Sequence, residues 1–245
     1  MSGRAAGATA VRVLTQLRRD PRTIVLLLVV PVGLVTLLKY VFAGEPLVFQ
    51  RIGGPLLGLF PFISMFVVTS ITMLRERSSG TLERLLTLPL AKLDILLGYG
   101  AAFALVAAVQ AALVSTVAFG LLNLHVAGSP WTVAALAIAN AELGMALGLL
   151  VSAFARTEFQ AVQFMPALVL PQLLLCGLLV PRDRMARALE LVSDALPLSY
   201  SYDALARVAG GVPLGLRFAV DVSVTLGGTL LALALAAATL RRRTP

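Results

Sequence analysis

Apolar stretches of membrane length alternate along this chain with short polar interruptions, and that alternation predicts its elements. About twenty consecutive apolar residues in helical form cross a bilayer core. Runs of that size with almost no charge cover 23–42, 52–74, 95–154, 159–181 and 221–240. The third is too long for one helix, and Asn123, His125, Gly128, Ser129 and Pro130 near its middle read as a turn between two. Six spans follow: 23–42, 52–74, 95–122, 131–154, 159–181 and 221–240. Lys39 lies close enough to the end of the first to extend toward the interface. Trp131 stands where an interfacial aromatic belongs.

Three segments outside the spans are neither apolar enough to cross nor polar enough to be plain loops. In 8–20, Ala10, Val13, Leu14 and Leu17 share one helical face, with Arg12, Gln16 and Arg19 opposite, which predicts a helix lying along the interface. Asp20 and Pro21 fit an N-cap and a first-turn proline, turning the chain into the first span. In 80–88, Gly80 fits an N-cap with Glu83 three residues on, and Pro89 disfavours helix at Leu88. Leu82, Leu85 and Leu86 share a face of this short helix, opposite Glu83, Arg84 and Thr87. A membrane anchor would carry a basic polar face, so the mixed sign favours a protein partner; a solvated surface helix is the plain alternative. In 183–209, Met185, Leu189, Val192 and Leu196 lie on one face and Asp183, Arg187, Glu190 and Asp194 on the other. Pro197 ends that helix, and a second follows in which Asp203 and Arg207 are spaced for an i,i+4 pair. Two amphipathic helices in succession suggest an external hairpin dipping into the outer leaflet.

Composition agrees with a bilayer: 59% hydrophobic against 13% charged residues lies outside the range of a soluble domain of 245 residues. One cysteine, Cys176, and one histidine, His125, exclude an internal disulfide and a His/Cys metal cluster. The net charge of +8 would suggest nucleic acid in a soluble protein, but in a membrane protein it sets orientation. With six spans both ends share a side. That side holds Arg4, Arg12, Arg18, Arg19, Arg22, Arg75, Arg77, Arg84, Lys92, Arg156 and Arg241–Arg243, thirteen of the twenty basic residues. The positive-inside rule therefore predicts both termini in the cytoplasm and no nucleic-acid partner. The first apolar run has a long charged leader and no small-residue cleavage site, so it is expected to stay as a span.

The order of these segments around six spans resembles the permease subunit of type-2 ABC transporters, the family of daunorubicin-type drug exporters and polysaccharide exporters. Two stretches carry the resemblance. Glu76 through Pro89, with Gly80-Thr81-Leu82-Glu83-Arg84-Leu85-Leu86, is similar to that family's cytoplasmic coupling helix. Phe159-Gln160, Phe164-Met165-Pro166, Gly177, Pro181 and Leu196-Pro197-Leu198-Ser199-Tyr200 are similar to its fifth span and external helical hairpin. The resemblance implies that Glu76, Arg77, Gly80, Thr81, Leu82, Glu83, Arg84 and Leu85 dock on an ATPase subunit, and that the amino-terminal helix lies beside the translocation path. Cys176 departs from the small polar residue expected at its site.

The chain supplies no engine of its own. A P-loop needs glycines leading into Gly-Lys-Ser/Thr, whereas Lys39 follows two leucines and Lys92 follows Leu90-Ala91. The chain is expected to hold no cofactor, with ATP and magnesium bound by two copies of a separate cytoplasmic P-loop ATPase. The remaining expectation is a permease, not an enzyme, that pairs with a second copy or a paralogue in the plasma membrane and exports an amphipathic drug-like or lipid-like substrate. Export of a lipid-linked polysaccharide by the same architecture is one alternative. A secondary carrier using Glu142 is another, since an ionisable group halfway along a span costs about 2.5–3.5 kcal/mol and needs a partner or a wet cavity. Phe60, Phe62, Phe66 and Phe164 are further candidates for the path, against the plainer reading of phenylalanine packed on lipid or helix. Asn140, Gly144, Gly148 and Ser152 recur every four residues and mark close helix packing, with Gly144 and Gly148 at its centre. Gln110, Gln163 and Gln172 read as ties between helices.

Overall fold

The computed structural model describes residues 3–80 and 92–239, and every regular element among them is helical. These are α1 (Gly3–Arg18), α2 (Pro21–Val41), α3 (Pro46–Ser78), α4 (Lys92–Thr116), α5 (Pro130–Val151), α6 (Glu158–Phe164), α7 (Leu170–Leu175), α8 (Arg187–Asp194), α9 (Pro197–Ala209) and α10 (Leu216–Thr239). A π turn, Val117–Leu121, prolongs α4; another, Met165–Val169, joins α6 to α7. Among the described residues, five helices are long and apolar enough to cross a membrane: Pro21–Val41, Pro46–Ser78, Leu97–Leu121, Pro130–Val151 and Leu216–Thr239. The region 159–181 is instead helical in three pieces that stop at Leu175. Pro166 and Pro171 lack the N–H that an α-helical register requires of them, and the wider π turn absorbs the first interruption.

The α3 helix is longer than its apolar run, 33 residues. Pro46 opens it at the first turn, and Arg75 and Arg77 in its last turn complement the carboxyl end of the helix dipole. Its partner is α5, the most extensive helix pair among the described residues. Glycine makes this approach possible: a Cβ on Gly144 would strike the Phe62 carbonyl oxygen, and one on Gly148 would strike Thr69 Oγ1. Thr69 ties the seam further, donating to the Met65 carbonyl at 2.6 Å and lying 3.2 Å from that of Met145. Beside the seam Asn140 is wholly buried, and neither atom of its amide finds a partner among the described residues. Gln110 Nε2 donates to the Leu27 carbonyl at 2.6 Å, linking α4 to α2.

At the proximal end of the bundle α1 packs along α4, where Gly98 leaves room for Thr9 and the Ala6 carbonyl. Between α1 and α2 the chain turns at Asp20, whose Oδ1 accepts from the Thr23 N–H at 3.2 Å and Oδ2 from the Thr23 hydroxyl at 2.7 Å. These hydrogen bonds hold the Asp20 carboxyl below the usual carboxylate range. The cap therefore stabilises the fold above the unfolded aspartate value of about 3.9 and is lost as pH falls through the lower folded value. Asp20→Ala should cost about 1 kcal/mol at neutral pH in thermal unfolding, while Asp20→Asn should keep the cap and flatten the acid-side dependence.

At the distal end the 122–129 turn, the start of α3 and α9 interlock. Gln50 Nε2 donates to the Asn123 carbonyl at 3.0 Å, and its Oε1 accepts from the His125 N–H at 2.7 Å. Ala127 N–H donates to the Ala209 carbonyl at 2.9 Å. Ser129 caps α5, with Pro130 in its first turn. The expected Asp203–Arg207 pair does not form. Arg182 takes Asp203 instead, through Nη1 at 2.6 Å, also pairs with Asp194, and lies over the Tyr200 ring at 5.1 Å. Arg207 turns toward Asp221 of α10, 3.9 Å away. A neighbour four residues away on one helix loses here to a guanidinium that reaches several acceptors at once. Burial pushes the Asp203 carboxyl above its usual range, against the opposing pull of Arg182.

Candidate functional site

The last turn of α3 is the point on which the proximal end converges. Arg12 of α1 donates through Nη1 to both Glu76 oxygens, at 3.4 and 3.2 Å, and through Nη2 to the Tyr99 hydroxyl of α4. The same guanidinium lies over the Tyr99 ring, 5.6 Å from its centroid. Glu76 keeps only 7% of its side chain exposed and Arg12 27%, so this is a largely desolvated ion pair whose removal on one side strands a charge. Next to it Arg75 grips Glu158, the first residue of α6, in a two-pronged contact: Nε to Oε1 at 2.7 Å and Nη2 to Oε2 at 3.0 Å. Arg75 Nη1 is also 3.8 Å from Asp20 Oδ2. The Arg75 pairs are half exposed and weak singly, yet with Arg12 they fasten α3 to α1, to the α1–α2 elbow, to α4 and to α6. A cavity of about 260 Å³ lies inside this knot, bordered by Gln16, Asp20, Thr72 and Glu76.

Immediately beyond the knot α3 stops. Ser79 N–H donates to the Arg75 carbonyl at 2.9 Å, and Gly80 adopts a left-handed φ of +71°, a conformation glycine takes without strain. Of the residues expected to contact an ATPase, Glu76, Arg77 and Gly80 thus stand at the end of α3. Thr81, Leu82, Glu83, Arg84 and Leu85 lie outside the described residues, as does nearly all of the predicted helix 80–88.

The candidate path residues separate into two places. Phe62 and Phe66 are buried in the α3–α5 seam against Gly144 and Gly148, and Phe60 and Phe164 pack at the edge of the same cluster. Glu142 lies on a different side of α5, in an apolar groove between α4 and α10, and is not brought to the phenylalanines. Sequence reading missed Arg12, Asp20, Tyr99 and Glu158 as a connected set. The available signal was Glu76 itself, since a carboxylate at the end of a long apolar run needs a counter-charge once buried.

Among the described residues, five apolar helices of membrane length, joined by a proximal polar knot and a distal helical cap, define a multi-pass membrane protein. Residues 5–208 match the family model described as "ABC-2 type transporter", and the chain belongs to that family. It is similar to "Probable multidrug ABC transporter permease YbhR" of Escherichia coli strain K12, with 29% identity over 151 residues, 60% of this chain and 40% of that protein. A protein of the same name from Escherichia coli O157:H7 gives the same figures. It is also similar to "ABC transporter G family member 20" of Dictyostelium discoideum, 25% identical over 147 residues, 60% of this chain and 20% of that protein. The match thus spans less than half the length of these relatives.

Proposed function

We propose that this chain is the membrane subunit of an ATP-driven exporter that moves an amphipathic drug-like or lipid-like molecule out of the cytoplasm or the inner leaflet. Two copies, or one copy and a paralogue, form the pathway in the plasma membrane. Each has six spans, the interrupted helix of α6 and α7 being the fifth, with both termini cytoplasmic and α8 and α9 forming an external hairpin. Two copies of a cytoplasmic P-loop ATPase bind ATP and magnesium and press on the segment 80–88 and the end of α3 before it, where Arg77 and Gly80 to Leu85 meet them, while Glu76, buried against Arg12, passes the push into the bundle. The observation that carries this reading is the knot at Arg75 and Glu76. A force applied just beyond α3 reaches α1, α4 and α6 through the Arg12, Tyr99 and Glu158 contacts instead of bending one helix. The permease names of the relatives support the same assignment, and the word multidrug in one of them supports an amphipathic cargo.

The test is Glu83→Arg, which gives the polar face of 80–88 a single sign of charge. In inside-out vesicles holding the permease and its ATPase, ATP-dependent export should be lost, while membrane insertion and dimerisation stay as in the wild type. Wild-type export by this variant would refute the coupling role. Export driven by a proton gradient without ATP would replace it with a secondary carrier.

A further inference from the structure

The helices α4 and α10 both pack on α5 but scarcely touch each other. Between them runs a groove of about 580 Å³, floored by Glu142 and Met145 of α5 and walled by Gly100, Ala101, Ala104 and Ala234. Small residues on both walls open it, and Leu97, Leu226 and Leu230 at its rim are exposed. One other lining side chain is polar, Thr229, and its hydroxyl donates to the Thr225 carbonyl at 2.9 Å. The Glu142 carboxylate makes no hydrogen bond or ion pair with any described residue. It lies nine residues before the end of α5, about 14 Å along the helix axis, well inside the apolar layer.

We infer that this groove binds a hydrophobic monocation, with Glu142 as the counter-charge. An ionised carboxylate in an apolar trough attracts a cation strongly because its apolar walls screen charge poorly and no described side chain donates to it. The groove volume falls within the range of about 300–1,000 Å³ typical of small-molecule sites. A second copy of this chain is a poor occupant: the basic residues of its spans, Lys39, Arg51, Arg75, Arg77, Lys92 and Arg217, stand near helix ends and bring no positive charge to this depth. As a loading site for cargo the groove rests on the export reading above, but its binding is measurable without transport.

The probes are radiolabelled tetraphenylphosphonium and tetraphenylborate, alike in size and opposite in charge, titrated by equilibrium dialysis onto the full chain in lipid nanodiscs. The wild type should bind the phosphonium at least about tenfold more tightly than the borate. Glu142→Gln should abolish that preference, Glu142→Asp should keep it, and Ala104→Trp, which fills the groove, should lose the phosphonium. Equal binding of the two ions by the wild type, or an undiminished preference in Glu142→Gln, overturns the inference. Disulfide-linked dimers of Ala101→Cys in a Cys176→Ala background overturn it too, since a second copy then occupies the groove. Phosphonium bound through Glu142 but never exported with ATP leaves the site standing and removes the export reading. ATP-driven phosphonium export indifferent to Glu142→Gln does the reverse.

Discussion

Glu76→Ala is expected to destabilise the folded bundle by about 2–3 kcal/mol, below the roughly 3–5 kcal/mol of a fully buried ion pair because Arg12 keeps some access to solvent. For a chain of this size the corresponding fall in melting temperature is roughly 5–10 °C. The cost comes from the group left behind: the Arg12 guanidinium stays packed over Tyr99 with its carboxylate gone. Removing both charges in Arg12→Met/Glu76→Leu should therefore recover most of the loss. Tyr99→Phe, which deletes one acceptor of Arg12, should cost about 1 kcal/mol. Thermal unfolding of the purified chain in one detergent reads all three. A melting temperature for Glu76→Ala equal to that of the wild type would mean that the pair contributes nothing to the fold.

Gly144→Ala should cost about 1–3 kcal/mol although it adds a single methyl group. The methyl would meet the Phe62 carbonyl oxygen, with the Phe62 Cα and carbonyl carbon also within 3.0 Å. Backbone cannot swing aside as a flexible side chain can, so α3 and α5 must separate along their seam. Gly33→Ala is the matched control, because a Cβ there meets nothing within 4 Å. With an open site and a helical backbone, that change should be neutral or stabilising by up to about 1 kcal/mol. Opposite signs for the two glycines in the same melting assay would establish that the first is held by contact and not by backbone entropy. Loss of stability at both would point to a general intolerance of side chains in these helices.

Gly144 also shows what the amino-acid order makes legible. The four-residue spacing of Asn140, Gly144, Gly148 and Ser152 is a local signal, and so are Asp20-Pro21 and Ser129-Pro130, where a capping side chain and a fixed φ act within one turn. The Arg12–Glu76 and Arg12–Tyr99 contacts join residues 64 and 87 positions apart, and no local spacing encodes them. Asp203 and Arg207 were misleading for the complementary reason. Their spacing suits a pair on an isolated helix, but folding brings Arg182 from 21 residues away into a better position. Glu142 was legible as an anomaly, though not its surroundings, since a groove is a property of how two other helices settle against α5. The region 159–181 was apolar enough to suggest one uniform helix, and its two internal prolines, visible in the sequence, break that uniformity.

The internal prolines of α3, Pro55 and Pro61, both lie in its distal half. From Phe62 to Ser78 the helix runs without a proline, a stretch of about 25 Å. Kinks in helices concentrate at prolines and similar defects, so this half behaves as a stiff strut and the other as its hinged extension. Under the proposed function, a tilt imposed at Glu76 would be carried along this stretch toward Phe62 and its contact with Gly144. Bending of α3 is therefore expected at Pro55 and Pro61, on the distal side of the strut, before it occurs between Phe62 and Glu76.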